Sequence, residues 1–279
     1  MKSITDKIAL QNLINSYLQE TGQGRFIPPT EQSASLLKKS RGLPVLSIVL
    51  HTLDANLYVS IAYQSSVGRH RFAELPWVER DGLELRVSPA TLAANLLENI
   101  LHHQQHSALD TSSLLESWIL SRRALQQFLH YREADLHQLI SLKQSFIQSE
   151  QALIIGHSMH PSPKSRQGFV QDDWKAFSPE TQNQFKMHFL YVHPAYVAHD
   201  NAHNLSVPEQ FKHDLESYFN DYHRLKIQQY PNYALVPLHP WQARYLKDKA
   251  WYQTLLHQNK LIDFGELGWN MKATTSVRT

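Results

Sequence analysis

Apolar residues near the N-terminus recur every three or four positions and then change to the shorter spacing of strands. The first pattern predicts an amphipathic helix over residues 5–20. Alternating runs at 45–50, 57–63 and 83–87, separated by turn residues, predict an antiparallel meander. Ser88-Pro89 is a typical helix start, and Ser113 with Glu116 predicts a capping box for the next helix.

The second half of the chain mixes the two periods. Strands are predicted over residues 189–197, 233–238 and 261–267. Helices are predicted from residue 136 almost to Gly156, and over 208–226 and 241–256. The predicted class is α+β. A helix and β-meander lobe over 1–151 precedes a lobe of mixed antiparallel sheet and helices over 152–279, which is expected to be incomplete at its C-terminus.

Composition narrows the class of protein. The 27 Lys plus Arg against 25 Asp plus Glu give a net charge of only +2, which provides no general basic field for nucleic acid. No cysteine is present, so disulfides and thiolate metal sites are excluded. The N-terminal residues are too polar for a signal peptide, and no apolar run is long enough for a membrane span. We therefore expect a cytoplasmic protein without a nucleic-acid or membrane partner.

Residues 156–169, GHSMHPSPKSRQGF, combine two imidazoles and two permanent cations with hydroxyl groups between two glycines. The prolines forbid a regular helix and the glycines permit turns, while His157, His160, Lys164 and Arg166 can all donate to oxyanions. The imidazoles could donate to phosphate or take a proton from an attacking amine. An ordinary solvated loop is the competing interpretation.

Three further motifs follow the loop in order: Phe177-Ser178-Pro179-Glu180, then Pro237-Leu238-His239-Pro240-Trp241-Gln242, then Ser276-Val277-Arg278-Thr279. With the loop, they resemble the aerobactin-synthetase-like (IucA/IucC) family of siderophore synthetases, which work independently of non-ribosomal peptide synthetases. The motif resemblance covers about residues 150–279. His239 is expected to have at most a supporting role, and Trp241 a core position.

This resemblance implies an enzyme for siderophore biosynthesis, a carboxylate–amine ligase. ATP would adenylate citrate or a derivative, and an amine or hydroxyl would then form the amide or ester. It implies phosphate or nucleotide contacts from His157, His160, Lys164, Arg166, Ser276, Arg278 and Thr279, with His160, Lys164 and Arg278 in the reaction itself. Mg²⁺ is implied as well.

Members of the family are about twice as long, so the chain is expected to be the N-terminal portion, inactive alone, with the Mg²⁺ ligands in the other half. A homodimer is possible. A non-catalytic binding or assembly module is the alternative function. A metal hydrolase is a weaker third interpretation, because the His102/His106 and His199/His203 spacings fit solvated helix faces better than metal sites.

Overall fold

The computed structural model describes residues 2–104, 110–137, 143–170, 172–198 and 212–274. The chain forms two compact units, residues 1–170 and 171–279. This structural division lies beyond the boundary at 151/152 that the sequence predicted, because the loop that starts at Gly156 belongs to the first unit. The separation into two lobes of different function stays a prediction.

The first unit contains an antiparallel sheet in the order β1-β2-β3-β5-β6, with β4 paired to β3. The predicted strand at 45–50 is confirmed, and those at 57–63 and 83–87 are confirmed with shifted ends. The short strands β1, β4 and β5 were not predicted. The strands are β1 Arg25–Ile27, β2 Val45–Leu50, β3 Ala55–Tyr63, β4 Arg71–Phe72, β5 Trp77–Arg80 and β6 Leu83–Leu85.

Five α-helices are described in this unit: α1 Lys2–Thr21, α2 Ala34–Lys39, α3 Pro89–His103, α4 Thr111–Tyr131 and α5 Phe146–Gln151. Ser88 caps α3 as predicted, accepting from the Thr91 N–H at 3.1 Å. The predicted Ser113–Glu116 capping box is wrong, because Asp110 accepts from the Ser112 N–H at 2.8 Å and starts α4 earlier.

The helix predicted from residue 136 almost to Gly156 is interrupted: residues 146–151 are helical, as predicted, but they belong to a separate helix, α5. Residues 143–145 are not helical, and Ser145 forms a capping box with Gln148 that begins α5. The predicted helix is therefore broken before Phe146, where α5 begins. Residues 138–142 lie outside the described ranges.

One apolar core joins α1, α3 and α4 to the first sheet. Alternate residues of β2 and β3 enter it, as the period of a strand requires. Trp118 of α4 is 1% exposed. An ion pair between Asp6 of α1 and Arg122 of α4 lies beside this core. The core fixes α4, and α4 in turn supports the loop described below.

The second unit is built on a three-stranded antiparallel sheet in the order β8-β7-β9. The predicted strands at 233–238 and 261–267 are confirmed. Its elements are α6 Asp173–Phe177, a 3₁₀ turn Pro179–Thr181, β7 Gln184–Val192, α7 Asp221–Gln229, β8 Ala234–Leu238, α8 Pro240–Lys247, α9 Ala250–His257 and β9 Leu261–Lys272.

Three predicted elements of this unit differ from the structure. Strand β7 ends at Val192, before His193-Pro194, and does not reach residue 197. The helix predicted over 208–226 is interrupted, because Asn220 caps a new helix, α7; residues 208–211 lie outside the described ranges. The helix predicted over 241–256 is two helices, α8 and α9.

Both faces of the second sheet are covered. Phe189 and Tyr191 of β7 join one apolar cluster, while Leu190 and Val192 join another that includes residues of α8 and α9. A sheet buried on both faces has no polar side, which explains the uninterrupted apolar residues 189–192 at the end of β7. Among the residues that the structure describes, none of the helices has the length and apolar character that a membrane crossing requires.

A charged cluster lies among these elements, centred on Asp263 of β9. Its carboxylate contacts His188 Nε2 at 2.6 Å and Lys247 Nζ at 2.8 Å. It also accepts from the Gly265 N–H at 2.8 Å and from the Tyr252 hydroxyl at 3.3 Å. Burial opposes ionisation, but the hydrogen bonds from His188 and Lys247, the charge of His188 and the Gly265 N–H hold the pKa of Asp263 well below its usual range. The cluster therefore links β7, β9, α8 and α9.

We expect Asp263→Asn to lower the free energy of unfolding by about 2 kcal/mol at pH 7. This is below the 3–5 kcal/mol typical of a broken buried pair, because the carboxylate is partly exposed. The native pKa is depressed, so the stabilisation is present above the unfolded pKa of about 3.8 and is lost as the pH falls further.

Urea titrations of the variant and the wild type at pH 7 and pH 3 test this prediction. The difference between the two proteins should shrink at pH 3. Glu266→Gln, an exposed carboxylate on the same strand, is the control and should change stability little. A difference that stays constant with pH would contradict the assignment.

Candidate functional site

The loop of residues 156–169 packs along one face of α4. The backbone N–H of Lys164 donates to Ser121 Oγ at 2.9 Å, and Gln167 Nε2 approaches Ser117 Oγ at 3.5 Å. Ser117 and Ser121 are one helical turn apart, so their hydroxyls lie on the same face. These contacts give the loop backbone and side-chain partners that it cannot supply itself, because its prolines prevent regular structure.

The guanidinium of Arg166 extends this contact. Its Cζ atom lies 5.3 Å from the ring centroid of Phe128 on α4 and 5.9 Å from that of Phe169. Cation–π contact at these distances holds the planar group while leaving part of it accessible. Sequence reasoning did not identify Phe128, Ser117 or Ser121 as supports. Their common face on α4 was the available signal.

Lys164 is placed differently from an exposed phosphate contact. The residue is only 6% exposed, and its ammonium group donates to the Leu153 carbonyl oxygen. With its backbone N–H on Ser121, the residue joins the loop to the segment before it and to α4. Its predicted contact with phosphate stays a prediction, and in this structure its side chain serves as an anchor.

Gly156 allows the loop to turn back on itself. Its φ of +77° is in the left-handed region, and a Cβ atom there would lie 2.8 Å from Pro163 Cβ and 3.0 Å from Lys164 Cε. The predicted turn at this glycine is therefore confirmed. Both its backbone angle and the space beside it exclude a side chain without movement of the loop.

The two loop histidines are exposed and share one hydrogen-bonding arrangement. His157 Nδ1 accepts from the Met159 N–H at 3.3 Å, and His160 Nδ1 accepts from the Ser162 N–H at 3.0 Å. A nitrogen that accepts carries no proton, so each neutral ring carries its proton on Nε2. Partial burial, together with the nearby His157, lowers the pKa of His160. The loop thus offers the Nε2–H groups of two imidazoles as donors.

In the second unit, the Ser178-Pro179-Glu180 and Pro237–Gln242 motifs are brought together through an aromatic contact. The His239 ring lies 4.8 Å from the Phe177 ring and 4.5 Å from the Phe185 ring, between centroids. Its Nδ1 accepts from the Trp241 N–H at 3.1 Å and caps α8. The expected supporting role of His239 has this structural basis.

An ion pair joins the same two regions. Arg244 of α8 binds Asp173 of α6 through both guanidinium nitrogens, with Nη1 at 2.9 Å from Oδ1. Ser178 and Glu180 are both fully buried, so this motif forms part of the interior of the second unit. Trp241 is partly exposed and stacks on Tyr245 at 5.7 Å, so the prediction that it is a core residue is wrong.

Several of the other residues that the sequence singled out lie outside the described ranges. Ser276, Arg278 and Thr279 lie outside the described residues, as do His106, His199 and His203. His102 is exposed on α3, 6.2 Å from the His51 ring. Within the described part of the chain, no three His, Asp or Glu side chains are arranged to hold a metal ion.

We expect Gly156→Ala to destabilise the first unit by about 2–4 kcal/mol, through left-handed backbone strain and the collision with Pro163. Gly42→Ala is a matched control, because Gly42 has the same φ of +77° but nothing within 4 Å of a Cβ atom. It should cost only about 1–2 kcal/mol. Urea unfolding measures both, and equal losses would show that Pro163 and Lys164 do not confine this position.

Comparison with known proteins gives the loop and the motifs a context. Residues 145–279 match the model of the IucA / IucC family. The spermidine–citrate ligase of Bacillus anthracis is 28% identical over 100% of this chain and 47% of its own length. The rhizobactin siderophore biosynthesis protein RhbC of Rhizobium meliloti is 30% identical over 78% of this chain and 37% of its own length.

A solved structure also matches. The ATP-bound aerobactin synthetase IucA of Klebsiella pneumoniae has a TM-score of 0.77 and 26% identity, over 98% of this chain and 46% of that one. The chain thus spans about half the length of the relatives it matches. The α+β class predicted from the sequence is confirmed. The motifs, the family match and the fold agree, so residues 145–279 are identified with the IucA/IucC family, whose relatives the chain resembles over about half of their length.

Proposed function

We propose that the complete protein joins citrate, or a citrate derivative, to an amine or hydroxyl substrate in siderophore biosynthesis. A carboxylate oxygen attacks the α-phosphate of ATP, which forms an acyl adenylate and releases pyrophosphate. The amine or hydroxyl then attacks the acyl carbon, loses its proton and displaces AMP. The spermidine–citrate ligase and the ATP-bound aerobactin synthetase among the relatives support this choice of substrates.

The observation that carries the proposal is the supported donor loop. Its backbone is held on α4, and the rings of His157 and His160 are exposed with Nδ1 already occupied. Donors that are oriented before a ligand arrives need little reorganisation when charge develops on phosphate oxygens. In this proposal, the two Nε2–H groups and the guanidinium of Arg166 contact the triphosphate.

The same geometry favours donation over proton removal for the histidines. A proton added at Nδ1 would displace the backbone N–H that this atom accepts. The two rings therefore act as hydrogen-bond donors through Nε2, and we assign them no role as the base that deprotonates the amine. Lys164 is assigned the anchoring of the loop, with its charge adding to the local positive potential.

The residues Ser276, Arg278 and Thr279 follow β9 in the sequence and enter the proposal through their motif. Alternation places Ser276 and Arg278 on one face if the segment is extended, where a hydroxyl and a guanidinium suit a triphosphate or a carboxylate. ATP is expected to arrive with Mg²⁺. The residues that the structure describes make no site for this ion, so no step is assigned to it. A cytoplasmic location, where ATP is available, belongs to the proposal.

Pyrophosphate release by the complete protein tests this function. It should require ATP and citrate, and product formation should require an added polyamine, diamino acid or hydroxylamine-bearing amine. Mass spectrometry of the product identifies the amide. ATP turnover that ignores citrate would contradict the proposal. Binding of ATP and citrate without any turnover would favour the non-catalytic assembly module.

We expect Lys164→Met to lower both stability and affinity for ATP, because it leaves the Leu153 carbonyl without the ammonium donor. Loss of such a partner typically costs about 1–3 kcal/mol. A pure phosphate contact would instead lower affinity without changing the melting temperature of the ligand-free protein. Thermal unfolding and ATP titration together separate the two roles.

We expect Arg278→Ala to reduce kcat/KM by an amount equivalent to about 2–4 kcal/mol, the usual effect of losing one oriented charged donor. His102→Ala, on the exposed face of α3, is the control and should leave kcat/KM unchanged. Steady-state kinetics with both variants, after circular dichroism confirms folding, decide this. A wild-type kcat/KM for Arg278→Ala would show that this residue does not contribute to the site.

A further inference from the structure

His239 combines partial burial with a fixed orientation. Phe177 and Phe185 meet its ring edge-to-face, with centroids 4.8 Å and 4.5 Å away. Its Nδ1 is occupied by the Trp241 N–H. The burial lowers the pKa of His239, although the charge of Asp173 acts in the opposite direction. The ring is therefore neutral near pH 7 and carries its proton on Nε2.

Within the described ranges, no residue accepts a hydrogen bond from His239 Nε2. A polar N–H beside two phenylalanine rings loses part of its hydration, and it is stabilised by any acceptor that reaches it. The aromatic contacts prevent the ring from turning freely toward another partner. Asp173, whose charge acts on the ring, is already bound by two nitrogens of Arg244.

From this arrangement we infer that His239 is a ligand-binding residue whose Nε2–H donates to an anionic oxygen of the substrates, either a carboxylate of citrate or a phosphate of ATP. This rests on the proposed function and gives His239 more than the supporting role that the sequence suggested. The cap on α8 and the ligand contact use different atoms of one ring. They can therefore be separated by substitution.

His239→Asn makes that separation. Asparagine is a favoured N-cap residue, so its side-chain oxygen can replace Nδ1 as the acceptor for the Trp241 N–H. Its side chain is too short to replace Nε2 as a donor. His193→Asn is the matched control, since His193 also precedes a proline and its Nδ1 accepts from the Ala195 N–H at 3.1 Å.

Calorimetric titrations of the complete protein with ATP and, separately, with citrate provide the measurement. We expect His239→Asn to fold, with a melting temperature lowered by the lost ring contacts, and to bind one of the two ligands about 10- to 100-fold more weakly, which is the loss of one hydrogen bond to a charged acceptor. Weaker binding of citrate would identify the acceptor of the Nε2–H as a carboxylate oxygen, and weaker binding of ATP would identify it as a phosphate oxygen. His193→Asn should bind both ligands as the wild type does.

Wild-type affinity of His239→Asn for both ligands would overturn the inference and leave His239 a helix cap. If the variant does not fold, ¹⁵N-histidine spectra of the wild type decide instead. The Nε2–H signal of His239 should shift on addition of the ligand, and an unchanged signal with both ligands overturns the inference. A wild-type protein that binds neither ligand would refute the proposed function itself.

Discussion

The contact between the proline-containing loop and α4 is the interaction on which the candidate site depends. A segment with two prolines cannot bond its own backbone regularly, so partners must come from elsewhere. The Lys164 N–H donates to the Ser121 hydroxyl, and the Lys164 ammonium group donates to the Leu153 carbonyl oxygen. Phe128 holds Arg166. The order of the loop is therefore set by a helix that the core of the first unit fixes in place.

Histidine is used repeatedly as a backbone acceptor in this chain. His160, His193 and His239 each precede a proline, and each accepts through Nδ1 from the N–H two residues ahead. Proline has no N–H, so the first backbone donor after the histidine is the N–H of the residue that follows the proline. The histidine ring accepts from this N–H. The consequence is chemical as well as structural. With Nδ1 accepting, the Nε2–H of each ring becomes an oriented hydrogen-bond donor.

Elements determined by local sequence could be predicted, and elements determined by distant contacts could not. The cap at Ser88 and the turn at Gly156 depend on neighbouring residues, and both were predicted. Strands of two to four residues, such as β4 and β5, are too short to show alternation. The break between α8 and α9 lies at Asp248 and Lys249, where no glycine or proline signals it.

In the candidate site, too, some features could be predicted from local sequence and others depend on distant contacts. Donor residues in the loop were recognisable from their types, whereas the inward position of Lys164 depends on Ser121, which lies 43 positions earlier in the sequence. The contact between His239 and Phe177 likewise joins two separate motifs. Sequence reasoning therefore named the groups, but only their packing indicates which atoms remain available to a ligand.

The central claim is that the loop is held in place before a ligand binds. Hydrogen exchange at the Lys164 amide in the ligand-free protein tests this most directly, because that N–H is bonded to Ser121 and the residue is 6% exposed. The account predicts exchange much slower than for an unstructured peptide, with little further change when ATP is added. Exchange at the unstructured rate, slowed only by ATP, would contradict it.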